Sequence, residues 1–340
     1  MSEHKMNLNR RALLGMLAAG GVASVAASGK AKAQSVNTSA RIVILGAGAA
    51  GMALANRLND RLNGANITII DGRPRHLYQP GFTLIAAGLK PADYSVSSND
   101  TWLPRDVNFI NAFASEIDPE SKVLRIVGQA DVAYDYLIVA PGLKLDWGKI
   151  EGFSLDMVGE NGIGAVYAGP EYAAKTWTAM DKFTDEGGVG LFTRPATGMK
   201  CAGAPLKYTF LTDDYARRKG TRSKVEMTYA AHNNGLFGVP IVNEKVRMLF
   251  DDRGVDVHHN HVMKAIDPAK KLATFTTPEG DTELPYDFTN IIPPQRAPDV
   301  IMNSPLPWED KWVGQGWVEV DQYTLRHNRY PEIFACGYAR

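Results

Sequence analysis

Arg41-Ile-Val-Ile-Leu-Gly-Ala-Gly-Ala-Ala-Gly51 decides how this chain is read. Arg41–Leu45 is a short apolar run of the kind that forms a buried strand. It opens directly into Gly46-Ala-Gly-Ala-Ala-Gly51, and a helix follows through about Leu62. Gly46 permits the tight turn, Gly48 permits close approach of the backbone to a pyrophosphate, and Gly51 lets the helix pack close to the strand. The helix N-terminus, entered through Ala49 and Ala50, faces the phosphates. The next strand, Ile67–Ile70, ends at Asp71, 20 residues beyond Gly51 and placed for a ribose hydroxyl. Alone, G-x-G-x-x-G is a weak signal. Between a strand and a helix, with an acid at this distance, it marks a dinucleotide-binding domain.

Outward from this motif the strand–helix alternation continues. Tyr136–Ala140 is an apolar strand closed by Pro141-Gly142, and residues 171–185 have helical spacing, with Ala174, Trp177 and Met180 on one stripe. Strands are expected at 188–193, 225–231 and 255–262, with helices at 205–218 and 243–252 between them. Leu272–Thr276 and Phe288–Ile292 are read as completing this second unit. The alternation predicts an α/β chain with parallel sheets and crossover helices, two Rossmann-like domains in all. Residues 35–150 form the first, 151–300 the second, and 301–340 return to the first through Gly316–Asp321 and Ile333–Gly337. The second domain lacks a nicotinamide fingerprint. Its Gly187-Gly-Val-Gly-Leu-Phe-Thr193 runs instead into Thr197-Gly-Met-Lys-Cys-Ala-Gly-Ala-Pro205.

Composition narrows the class. The 340 residues are 45% hydrophobic and 22% charged, enough for two ordinary globular cores. The 37 basic and 37 acidic residues cancel, and no aromatic-basic interleaving suggests stacked bases, so nucleic acid is set aside as a partner. Residues 1–34 read as an export segment. Arg10-Arg11 precede a small-residue apolar run, and Ala31-Lys-Ala33 is an A-x-A cleavage signal. The arginine pair makes this a twin-arginine signal, which places the mature protein in the periplasm. The two cysteines are read as candidate chemistry, because a chain of this size does not need a disulfide staple.

Two further motifs bear on the ligand. Tyr134-Asp-Tyr-Leu-Ile-Val-Ala-Pro-Gly142 resembles the second fingerprint of the two-dinucleotide flavoproteins of glutathione-reductase type, and Pro331-Glu-Ile-Phe-Ala-Cys-Gly337 resembles their third. Three motifs in this order imply FAD, held by Gly46, Gly48, Ala49, Ala50, Gly51, Asp71, Ala140, Pro141, Gly142 and Gly337. With His76-Leu-Tyr-Gln-Pro-Gly81 and Lys200-Cys-Ala-Gly-Ala-Pro205 added, the chain from Arg41 to Gly337 resembles the sulfide:quinone oxidoreductases. That resemblance implies that sulfide attacks a cysteine disulfide or trisulfide, leaving a persulfide and a thiolate that reduces FAD. Electrons then pass to a membrane quinone through a peripheral membrane contact. It also puts Gln79, Pro80 and the Pro293-Pro294 loop near the flavin and Ala114 near the adenine.

Cys201 carries this expectation on its own chemistry too. It lies in a glycine-rich loop four residues before Pro205, a residue suited to a first helical turn. A helix N-terminus with Lys200 and Lys207 nearby favours thiolate over thiol. Cys336 is the candidate partner, although a residue just before the third motif's glycine is often only a small packed one. In the nearest branch the partner cysteine falls where this chain has Ala339. Tyr338 stands where the motif has an aspartate, and family members continue well past Arg340, so the last segment is expected to be incomplete. No metal is expected: His258-His-Asn-His261 would set His259 and His261 on one strand face without further ligands. His232, Asn233 and Asn234 end a strand toward the cysteine loop, and Trp308, Trp312 and Trp317 read as packing. The rival readings are the flavoprotein subunit of a flavocytochrome c sulfide dehydrogenase, a type II NADH dehydrogenase, and a non-catalytic flavin-binding relic.

Overall fold

The computed structural model describes residues 35–340, so the expected export segment lies outside the described residues. Strand β1 (Arg41–Leu45) leads through the glycine turn into helix α1 (Ala49–Asn59), then to β2 (Asn66–Ile70), β3 (Val107–Ile110) and β4 (Tyr136–Val139). The helix ends short of the expected Leu62, which instead pairs with Val36 in a two-residue strand. The second domain runs β5 (Ile163–Gly164), α2 (Pro170–Glu186), β6 (Gly188–Thr193), α3 (Ala204–Lys219), β7 (Val225–Ala230), α4 (Pro240–Arg253), β8 (Val255–His258) and β9 (Phe288–Asn290). Finally β10 (Ile333–Ala335) returns to the first sheet.

Both main sheets are five-stranded, in orders β10-β4-β1-β2-β3 and β5-β9-β6-β7-β8, and every pairing within them is parallel. Such sheets are covered on both faces, which is why their strands are continuous apolar runs rather than alternating ones. Ile42, Ile44, Ile67 and Ile69 pack on the α1 side, where Met52 and Ala55 meet them. Val43, Leu45, Leu137 and Val139 pack on the other side, against Trp317, Val318 and Ile333 of the returning segment. In a doubly wound sheet ligands bind at the carboxyl ends of the strands, so β1, β4 and β10 deliver their loops to one edge.

Two regions depart from the expected pattern. Leu272–Thr277 does not join the second parallel sheet. It is the middle strand of an antiparallel sheet with Val262–Asp267 and Gly280–Pro285. Its alternating burial, with Ala273 and Phe275 fully buried, is the period of a sheet covered on one face. The strand expected over 255–262 also breaks at His258, because Asn260 adopts a left-handed conformation (φ 57°) and turns the chain. A second antiparallel sheet, formed by Ala114–Asp118, Val123–Ile126 and Val132–Ala133, fills the connection between β3 and β4.

The domains interlock through a short helix of the first, Phe82–Ile85. Phe82, Ile85 and Ala86 enter the core built by α2 and α3, and the buried Tyr208 hydroxyl donates to the Ala86 carbonyl (3.0 Å). This contact holds the Gln79–Pro80–Gly81 turn at the junction.

Candidate functional site

The fingerprint glycines meet three different demands. Gly46 has φ 109°, and a Cβ there would stand 2.4 Å from the Ala140 carbonyl oxygen, so the turn rests directly on the end of β4. A Cβ on Gly51 would lie 1.9 Å from the Gly46 oxygen, so the helix seats tightly against the turn. Gly48 caps α1 in extended conformation, and a Cβ there would meet nothing within 4 Å. The only glycine of the three that packing does not require borders open space at a helix N-terminus. That is the form of a phosphate cradle. Beside it, Ala49, Met52, His76, Tyr78, Tyr94 and Trp102 line a cavity of about 740 Å³.

Asp71 is buried at the end of β2, where the Ala47 N–H donates to its Oδ2 (2.8 Å). Burial opposes its charge, but the Arg73 guanidinium and two backbone N–H groups hold the carboxyl below the usual carboxylate range. Gly142 has φ 76° with free space where a side chain would point, and Ala140 is buried beneath Gly46. Pro141 and Gly142 are half-buried, Ala114 is half-buried at the start of its strand, and Gln79 and Pro80 are exposed at the junction. A Cβ on Gly337 would come 3.2 Å from Ala50, so the third motif touches the first turn of α1. All three motifs therefore converge on one edge of the first sheet.

The cysteine loop closes over this edge from the second domain. Cys201 is exposed and has φ 46°, a left-handed conformation that costs a non-glycine residue about 1 kcal/mol. Three contacts hold it there. Its carbonyl accepts from the Tyr167 hydroxyl (2.8 Å) and from the Ala204 N–H that opens α3 (2.9 Å), and its N–H donates to the Tyr338 hydroxyl (3.1 Å). Burial pushes the Tyr167 phenol up, which keeps it a donor. Tyr338, which stands where the motif has an aspartate, thus uses its oxygen as an acceptor toward the cysteine loop and ties the two domains together. The Lys200 N–H donates to Gln295 Oε1 (2.9 Å), fixing the loop against the chain just after Pro293-Pro294. The other end of that amide, Gln295 Nε2, is buried without a partner among the described residues.

Lys200 does not flank the thiol as a simple surface charge. Its ammonium lies 5.5 Å from the Tyr167 ring centroid, and burial, with Arg73 nearby, pulls its pKa down to about 8. Lys207 is exposed on α3. Three residues that carried no sequence signal complete the surroundings: Tyr167, Gln295 and Arg194. Arg194 follows β6, where a nicotinamide fingerprint would begin. Its Nε is buried without a partner among the described residues, as are His232 Nδ1 and the Tyr229 hydroxyl. Burial, with Arg194 nearby, lowers the His232 pKa. Asn233 and Asn234 are exposed.

Cys336 is placed differently. It packs against the core of the first domain beside α1, burial pushes its thiol pKa up, and neither cysteine is in a disulfide. The histidines do not share a strand face as expected. His258 pairs with Asp256, His259 contacts the Asn233 carbonyl, and His261 contacts the His259 carbonyl. No metal-binding group of side chains occurs among the described residues. Trp317 is buried, Trp312 is exposed, and Trp308 meets it edge-on.

The residues present fit FAD on two structural grounds. The open cradle at Gly48 suits a pyrophosphate, and the orphaned Gln295 amide beside the cysteine loop is a donor awaiting an acceptor. The comparisons agree. Residues 40–175 match the family of pyridine nucleotide-disulphide oxidoreductases. The mitochondrial sulfide:quinone oxidoreductase of Mus musculus is 34% identical over 303 residues, covering 87% of this chain and 64% of the mouse protein. That of Dictyostelium discoideum is 32% identical over 298 residues, covering 87% and 64%. The chain thus spans a little under two-thirds of the length of these relatives. The structure of the sulfide:quinone oxidoreductase from Aquifex aeolicus superimposes with a TM-score of 0.74 at 24% identity, over 88% of this chain and 68% of that one. Over most of its length the chain is similar to the sulfide:quinone oxidoreductases, and it shares with them the α/β, FAD-binding fold of the pyridine nucleotide-disulphide oxidoreductases.

Proposed function

We propose that this protein is an FAD-dependent oxidoreductase that oxidises sulfide at Cys201 and delivers the electrons to a membrane quinone. The observation that carries the proposal is the position of Cys201. Exposed and in a left-handed conformation, it is tied by its N–H to the Tyr338 hydroxyl, next to Gly337, which touches the first turn of α1. Bound FAD supplies the two-electron acceptor and a quinone the onward sink. The Cys201 sulfur bonds to the sulfur of HS⁻, forming a persulfide, with release of one proton and two electrons. Tyr167 and Tyr338 fix the cysteine peptide from both sides, which limits the positions open to the thiol. The dinucleotide would rest on Gly48 and the first turn of α1, with Gln295 donating to its ring system. Cys336 serves this reaction poorly as a thiolate, because its burial favours the protonated form. We assign it to packing at the end of β10.

Arg10-Arg11 and the A-x-A site support an exported protein acting at the periplasmic face of the membrane. Among the described residues no helix is long and apolar enough to cross a bilayer, and the proposed contact with the membrane is peripheral.

The test is anaerobic mixing of flavin-loaded protein with sulfide and, separately, with NADH. Sulfide alone should bleach the flavin absorbance, and Cys201→Ser should retain flavin but lose the bleaching. Unchanged bleaching in that variant removes Cys201 from the reaction, and bleaching by NADH alone replaces the reading with a dehydrogenase. Reoxidation by a ubiquinone analogue rather than cytochrome c separates a quinone reductase from a flavocytochrome subunit.

A further inference from the structure

Asp71, expected to receive a ribose hydroxyl, has no acceptor position left. Its Oδ1 accepts from the Arg73 N–H (2.9 Å) and Arg73 Nε (3.0 Å), while Oδ2 accepts from the Ala47 N–H (2.8 Å) and Arg73 Nη2 (2.7 Å). A carboxylate offers about four lone-pair directions, so all of them are in use. Two of the four bonds come from backbone N–H groups, that of Ala47 in the fingerprint turn and that of Arg73 itself. The other two are the fork of one guanidinium whose side chain is half exposed. Only that fork can leave without moving the main chain.

We propose that Arg73 is a latch on the ribose site. Its guanidinium occupies Asp71 in the cofactor-free protein, and a dinucleotide must displace it before the ribose diol can bond to the carboxylate. Two features make the displacement feasible. Arg73 has solvent on its outer side, and the like charge of Lys200 is near enough to oppose it. Arg73 therefore sets the affinity and the entry rate of the cofactor without belonging to the pyrophosphate cradle. The proposal rests on the FAD assignment above.

Flavin-fluorescence titration at fixed ionic strength tests both separately. In Arg73→Ala the Kd for FAD should fall roughly tenfold and the association rate should rise, since one charge-assisted bidentate pair no longer competes. Arg73→Lys, which keeps the charge but not the fork, should fall between that variant and the wild type. In an Asp71→Asn background, Arg73→Ala should change nothing, because an amide gives the guanidinium no anion to close on. Wild type and Arg73→Ala binding FAD equally, or Arg73→Ala binding it more weakly, overturns the latch and leaves the cofactor assignment standing. Failure of every variant and of the wild type to bind FAD removes the assignment and the latch with it.

Discussion

Gly48 and Gly51 lie three residues apart in one motif, yet the structure assigns them opposite roles, and an alanine at each separates fold from ligand. At Gly48 (φ −74°, ψ −172°) any residue fits the backbone, and the new methyl meets nothing within 4 Å. Alanine is a poorer helix N-cap than glycine by up to about 1 kcal/mol. Reduced freedom of the unfolded chain returns roughly 0.4–1 kcal/mol. The cofactor-free protein should therefore melt within a degree or two of the wild type. The same methyl projects into the space onto which the first-turn N–H groups open. A pyrophosphate held off by it loses one or two charge-assisted hydrogen bonds of about 1.5–3 kcal/mol each. A loss of about 3 kcal/mol is roughly a hundredfold in Kd for FAD. Gly51→Ala should behave in reverse, since its Cβ would stand 1.9 Å from the Gly46 oxygen and 3.3 Å from Ile44 Cγ2. Backbone cannot yield as a side chain does, so destabilisation of about 3 kcal/mol or more is expected even without ligand. Calorimetric melting of the cofactor-free proteins, with FAD titration of each, reads both effects. Gly48→Ala binding FAD with wild-type affinity would refute the cradle, and Gly51→Ala melting normally would refute the packing argument.

Two further outcomes concern the cysteine loop. Tyr338→Phe deletes the acceptor of the Cys201 N–H, so hydrogen exchange of the peptide spanning residues 199–203 should quicken about tenfold while exchange in β1 stays unchanged; an unaltered rate at Cys201 would mean that the hydroxyl does not hold the loop. Burial pulls the Lys200 pKa down from the ordinary 10.5 to about 8. Between those limits the unfolded chain binds more protons than the folded one, so wild-type stability gains with rising pH. The stability advantage of Lys200→Met should accordingly shrink from pH 8 to pH 10 in urea titrations, and a constant advantage across that range would show that the ammonium is not desolvated.

Much of the architecture was legible because parallel strands and their helices announce themselves locally. Ile42–Leu45 and Leu137–Val139 are apolar without alternation, which only a strand covered on both faces tolerates. The break at His258 was not legible, since Asn260 adopts a left-handed conformation that its neighbours do not encode. Leu272–Thr277 has the composition of any buried-face strand, and its two antiparallel partners were decided by the turns at 268–271 and 278–279 on either side of it. For the site, the glycines and Cys201 stood out because their chemistry depends on their own residue type and immediate spacing.

From sequence alone came the dinucleotide fold, the three motif positions, and a cysteine loop in place of nicotinamide glycines. These are properties of short segments, set by backbone conformation and strand periodicity. Tertiary structure alone decided what those segments touch. Tyr338 meets Cys201 across 137 residues, and Gln295 meets Lys200 across 95. Arg73 closes on an aspartate only two residues away, yet only because β2 and the glycine turn bury that carboxylate beside it. Side-chain hydrogen bonds depend on distances of a few tenths of an ångström between groups brought together by folding, and no local pattern of residues records them.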